Sequence, residues 1–139
     1  ERGGALVRDL DLRLARLSAN APSRREAVMY LSASGAVAGS GTMMDAVINA
    51  AGGRNVRTDT SWVVLPLERV IETPPALIAL GFFDHGRTRM NPWLPGRHPA
   101  FRRALAEART VSLPLASISC EAWFAIDAAE RIQSALRAS

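Results

Sequence analysis

The run Ala38-Gly39-Ser40-Gly41-Thr42-Met43-Met44-Asp45, followed by Gly52-Gly53, constrains this chain more than any other stretch. It reads as a glycine-rich loop that delivers the backbone into a short, well-capped helix over residues 42–51. Thr42 is placed to cap the first N–H groups, and Asp45 stands three residues on, as a capping box requires. Met44, Val47, Ile48 and Ala51 form an apolar stripe that needs a core to bury it. Gly52 or Gly53 supplies the left-handed conformation that ends such a helix. The loop comes after Ala27-Val28-Met29-Tyr30-Leu31, an apolar run that reads as a buried strand. Strand, glycine loop and helix in this order is where α/β proteins hold ligands: small residues allow close approach, and free N–H groups and the helix dipole face the ligand.

A chain of 139 residues suits one domain with a real core, and at 48% hydrophobic residues it is too apolar to be disordered. It has no apolar run of transmembrane length and no signal peptide at its start. Glu1-Arg2-Gly3-Gly4 leads straight into a helical pattern, so we expect the chain to begin inside a longer protein. Cys120 is the one cysteine, which excludes an internal disulfide; a buried structural thiol is the expectation for it. The net charge is +4, and all 17 basic residues are arginine, a bias of coding more than of function. The basic residues are scattered, with no basic face interleaved with aromatics, so nucleic acid is not an expected partner.

Leu6, Leu10, Leu14 and Leu17 recur at helical spacing and predict an amphipathic helix ending near Asn20-Ala21-Pro22. Strands are expected at 27–32, 76–81 and 111–115, with a strand or extended segment around Trp62 at 61–65. Short helices are expected at 67–72, stopped by Thr73-Pro74-Pro75, and from Pro99 to about Ala108. A last helix runs from near Glu121 to about Arg137, burying Trp123, Ile126, Ala129 and Leu136 or their neighbours. The alternation of strands and helices implies a mainly parallel central sheet in a three-layer α/β/α sandwich.

Local motifs exclude more than they identify. The glycine loop lacks the Gly-Lys-Ser/Thr of a P-loop, and Met44 stands where a dinucleotide fingerprint needs its third glycine. An ordinary tight turn and a ligand loop both remain open for it. Gly39-Ser40-Gly41 is not a nucleophile elbow, and His85 and His98 lack a metal-binding spacing, so neither a catalytic residue nor a resident metal is expected. The loop at 82–98 is longer than a plain connection needs. Between Asp84 and Arg103 it brings five arginines, two histidines and Trp93 together against one acid. Guanidinium groups beside aromatic rings suit carboxylates or phosphates on a flat ligand. A solvated surface loop pinned by Trp93 and Phe101 explains the same composition. Glu68, read alone, is a first-turn carboxylate facing a helix dipole.

The ordered set of segments resembles the C-terminal lobe of the substrate-binding proteins of ABC importers for metal chelates, the bilobal family joined by a rigid helix. Val28-Met29-Tyr30-Leu31 followed by Ala38-Gly39-Ser40-Gly41-Thr42 carries the resemblance, then Ala50-Ala51-Gly52-Gly53-Arg54-Asn55-Val56. Trp62 with Glu68 six residues on, Pro74-Pro75-Ala76-Leu77-Ile78-Ala79-Leu80 and Trp123-Phe124 continue it. The family usually has Pro-Asp before the middle strand, where this chain has Pro75-Ala76.

The resemblance implies that residues 1–21 are the end of the interlobe helix, that residues 22–139 are the C-terminal lobe, and that the N-terminal lobe is absent. It implies a periplasmic or lipid-anchored protein, not an enzyme, without a cofactor of its own. Its cargo would be a metal chelate such as cobalamin, haem or an iron-siderophore. Gly39, Ser40, Gly41, Thr42 and Trp62 would face the interlobe cleft. Phe83 and Trp93 are further candidates to stack on the ligand, and Arg87 and Arg89 to pair with its acidic groups. Glu68 would dock on an ABC permease of the inner membrane. A small-molecule hydrolase or transferase on a similar scaffold is the alternative, and a flavodoxin-like interaction domain a third.

Overall fold

A computed structural model of the chain describes residues 2–83 and 98–138. In chain order the elements are α1 (Arg2–Ala19), β1 (Ala27–Ser32), β2 (Ala36–Ala38), α2 (Met43–Ala50), β3 (Arg54–Asn55) and β4 (Trp62–Val64). There follow α3 (Leu67–Glu72), β5 (Leu77–Gly81), α4 (Pro99–Glu107), β6 (Thr110–Ser112), α5 (Leu115–Ile118), a 3₁₀ turn (Trp123–Ala125) and α6 (Ile126–Arg137). The strands form one mixed sheet in the order β4-β2-β1-β5-β6, with β3 also pairing β1. β1, β5 and β6 run parallel, with Ser32 beside Gly81 and Leu80 beside Ser112. Their carboxyl ends therefore share one edge of the sheet.

The apolar runs of β1 and β5 are buried on both faces, as parallel strands covered by helices must be. On one face Val28, Tyr30, Leu77 and Ala79 meet Met44, Val47 and Ile48 of α2 and Ile126, Ala129, Ile132 and Leu136 of α6. On the other, Met29, Leu31 and Ile78 meet Val70 of α3 and Phe101 of α4. Alternate residues of one strand thus feed the two outer layers, which makes the sandwich three-layered.

The sheet departs from the expectation at one flank. Ser32 to Gly35 closes a tight turn (Gly35 N to Ser32 O, 2.9 Å), and the chain returns as β2, antiparallel to β1 with Leu31 opposite Val37. β4 then pairs antiparallel with β2. The glycine loop is therefore reached from an antiparallel strand and not directly from β1. Three residues are too few for a periodicity to reveal β2.

Three further expectations are corrected. In α1 only Leu17 is buried; Leu10 is partly packed and Leu14 is 48% exposed, so the stripe drifts off the core toward the N-terminus. The third strand is Thr110–Ser112, and Leu113 leaves it to join the core. The last helix begins at Ile126, and Trp123 lies in the 3₁₀ turn ahead of it with half its surface exposed. The helices at 43–50, 67–72 and 99–107 fall where their caps and prolines place them.

Candidate functional site

The glycine loop is held by hydrogen bonds on three sides. Gly39 N donates to Ser61 O (2.9 Å) and Ser40 N to Asp59 O (2.7 Å), while Ser61 N donates to Ser40 O (3.2 Å). Residues 59–61 thus wrap the loop so closely that a Cβ on Gly39 would overlap both the Asp59 and Ser61 carbonyl oxygens. Only glycine fits there. Thr42 Oγ1 accepts from Asp45 N (3.1 Å) and donates to Gly39 O (2.8 Å). The reciprocal half of the capping box is shifted by one residue: Asp45 Oδ2 accepts from Gly41 N (3.1 Å). The N–H groups of Gly39, Ser40 and Gly41 are therefore all engaged within the protein. The loop does not offer these three N–H groups to a ligand.

Asn55 is the hub that sequence reasoning passed over. It stands on β3 opposite Val28 and is 8% exposed. Its Nδ2 donates to Ala38 O (3.0 Å) and to Asp45 Oδ1 (3.0 Å), and its Oδ1 accepts from Arg57 N (3.1 Å). Asn49 Nδ2 adds a bond to Asp45 O (2.8 Å). One buried amide thus joins the end of β2, the start of α2 and the turn at Arg57. An asparagine two residues past Gly52-Gly53 is the signal that marks it.

Trp62 leads away from the loop on β4. The register sets Ala79, Tyr30, Ala38 and Trp62 in one row across β5, β1, β2 and β4. The small Ala38 lets the Trp62 ring reach Tyr30 edge-to-face, with centroids 5.6 Å apart at 77°. Trp62 keeps 49% of its surface exposed. Ser40 and Gly41 are exposed, Thr42 half-buried and Gly39 buried, so the surface near Trp62 presents an aromatic face beside the exposed polar residues Ser40, Asp59, Thr60 and Ser61.

The other predicted residues do not all converge. Phe83 is half-buried and packs on the opposite face of the sheet, with the Met29, Leu31 and Phe101 cluster. Phe82 packs on the Tyr30 side instead, in a left-handed conformation (φ 64°). Arg87, Arg89 and Trp93 lie outside the described residues. Glu68 is exposed in the first turn of α3, whose start is tied to the β1–β2 turn by Leu65 N to Gly35 O (3.3 Å). Cys120 is exposed, not buried, because it sits in the bend between α5 and the 3₁₀ turn. Among the described residues no cluster of His, Cys, Asp and Glu forms that could hold a metal ion. No described helix is long and apolar enough to cross a membrane.

No protein-family model and no curated protein matches the chain in sequence. Solved structures match its fold. The periplasmic haem-binding protein HutB of Vibrio cholerae superposes with a TM-score of 0.68 at 22% identity, over 96% of this chain and 55% of that one. The Fe3+-hydroxamate transport system protein of Saccharomonospora viridis gives 0.64 at 20% identity, over 97% and 49%. The periplasmic vitamin B12 binding protein BtuF of Vibrio cholerae gives 0.64 at 18% identity, over 96% and 50%. The chain is thus built as about half of each of these proteins is built, and spans about half of their length.

Proposed function

We propose that this chain is one lobe of a substrate-binding protein of an ABC importer, and that it helps capture a metal chelate and deliver it to a permease. The observation that carries the reading is that nearly the whole chain superposes on about half of a haem-binding protein, an Fe3+-hydroxamate transport protein and a vitamin B12 binding protein. A half-exposed tryptophan beside a rigid loop supports it, since flat ligands are held largely by aromatic and apolar contact. The proteins that share the fold are binding proteins, which favours capture over the hydrolase or transferase alternative. The periplasm is the compartment that goes with this role.

In this reading Trp62 stacks on the ligand, and the Asn55–Asp45 network keeps the loop beside it in place. Arg87, Arg89 and Trp93 are proposed as further ligand contacts. Glu68 is proposed to meet basic residues of the permease, where a surface carboxylate orients the docking more than it tightens it. The test is a fluorescence titration of the full-length protein with haemin, ferrichrome and cyanocobalamin. Saturable quenching by one of the three is expected. It should weaken by roughly tenfold or more in Trp62→Ala, the scale of losing one buried aromatic anchor. No binding of any probe overturns the reading. Uptake in cells tests Glu68 separately: Glu68→Ala should slow transport and leave the titration unchanged, and intact transport removes the docking role.

A further inference from the structure

β4 is an end strand of the sheet, and β2 is its one partner among the described strands. Short edge strands ordinarily turn charged or polar side chains outward, because an exposed apolar edge invites association. β4 does the reverse. Val63 and, two residues on, Leu65 pack on the Leu31 and Val37 cluster. The alternation of a strand then puts Trp62 and Val64 together on the opposite face. Trp62 is 49% exposed and Val64 70% exposed. Both outward residues of this strand are thus apolar, where water favours polar ones.

The register makes the two into one surface. Trp62 stands opposite Ala38 and Val64 opposite Ala36, so only a methyl group rises beside each. The exposed polar residues Thr60 and Ser61 come before Trp62, while the apolar surface runs the other way, to the end of β4. Two steps along a strand set Trp62 and Val64 about 7 Å apart. The result is an apolar shelf without a charged group, longer than a single aromatic ring needs. The indole is held at one end of it by its edge-to-face contact with Tyr30.

We propose that Val64 is a specificity residue: it extends the Trp62 platform so that the shelf takes the face of a flat macrocyclic chelate, a porphyrin or corrin ring. The inference rests on the binding-protein reading and deepens it by naming the ligand class. A broad ring system covers both side chains at once and removes their apolar surface from water. A hydroxamate chelate, rounded about its iron and edged with peptide groups, has no such face to lay on Val64. The shelf is continuous with the tryptophan assigned to the ligand, which is why the ligand is its occupant.

The test uses the full-length protein and its Val64→Thr form, which keeps the shape and strand preference of valine and exchanges a methyl for a hydroxyl. Both are titrated with haemin, cyanocobalamin and ferrichrome, melted without ligand, and sized by gel filtration. Haemin or cyanocobalamin should bind in preference to ferrichrome. Val64→Thr should weaken that binding by about fivefold to tenfold, the effect of covering an unpaired hydroxyl with an apolar face. The melting temperature should not move, since the side chain is mostly in water. Unchanged affinity, or a preference for ferrichrome, overturns this inference and leaves the binding-protein reading standing. A lowered melting temperature shows Val64 covered by another part of the protein, and a dimer that Val64→Thr dissociates shows it covered by a second copy; either overturns the inference. Failure of the unaltered protein to bind any probe overturns both.

Discussion

Asn55 shows how a single polar side chain sets the local structure here. Asn55 is worth more than its one position suggests, because its amide, at the end of β3, closes bonds to β2, to α2 and to the turn at Arg57. Asn55→Ala should lower stability by about 2 kcal/mol in denaturant unfolding, since Ala38 O and Asp45 lose a buried donor. Tyr30 makes a prediction of the opposite kind. Its phenol should titrate at about 12 in an ultraviolet titration of the chain, where no second tyrosine interferes. The unfolded phenol ionises near 10. Between these values the unfolded state sheds its proton and the folded state does not, so stability is full below about pH 10 and is lost progressively toward 12. A titration midpoint near 10 contradicts the burial of the ring. The capping pattern of Thr42 and Asp45 was legible from sequence, but its target was not: the carboxylate reaches Gly41 N, a choice made by the bend of the loop against residues 59–61.

Element by element, docking decides what periodicity leaves open. α1 has a regular leucine spacing, yet only its last turns enter the core. It is held to α6 by Arg13, whose guanidinium Nε bonds Glu130 Oε1 (2.8 Å) and which also pairs with Asp127. These bonds, to Glu130 first, hold the guanidinium still more firmly protonated. Gln133 Nε2 adds a bond to Leu17 O (2.7 Å) at the end of α1. Arg13→Ala should cost about 1 kcal/mol, as a partly exposed charge cluster does, and the cost should shrink in high salt. Hydrogen exchange should quicken along α1 from Arg2 to Leu10, where few core contacts hold the helix, with little change in α2 or β1. Equal quickening across the sheet contradicts a local tether. β2 was illegible for a related reason. Ala36, Val37 and Ala38 become a strand only because Leu31 and Val63 stand on either side to pair with them.

For the whole molecule, the chain spans about half the length of the solved structures it superposes on, and in the proposed reading it supplies one wall of a site shared between two lobes. A ligand held by one wall keeps roughly half of its buried contact. The 139-residue chain alone should therefore bind the probe that the full-length protein prefers, but roughly a hundredfold or more weakly. Equal affinity contradicts a site shared between two lobes. The strands β1 and β5, the capped helix at 43–50, the proline-stopped α3 and the exposed Glu68 follow from sequence alone. They depend on caps, prolines and apolar runs, which act over a few neighbouring residues. The tertiary structure alone decided that the N–H groups of Gly39, Ser40 and Gly41 are spent, that Phe83 turns away from Trp62, that Cys120 is exposed, and that the Tyr30 hydroxyl packs on Gly81. The loop's bonds to residues 59–61 and the packing of Tyr30 on Gly81 join residues 19 to 51 apart in sequence, and strand pairing, not local preference, sets which residues meet across that distance.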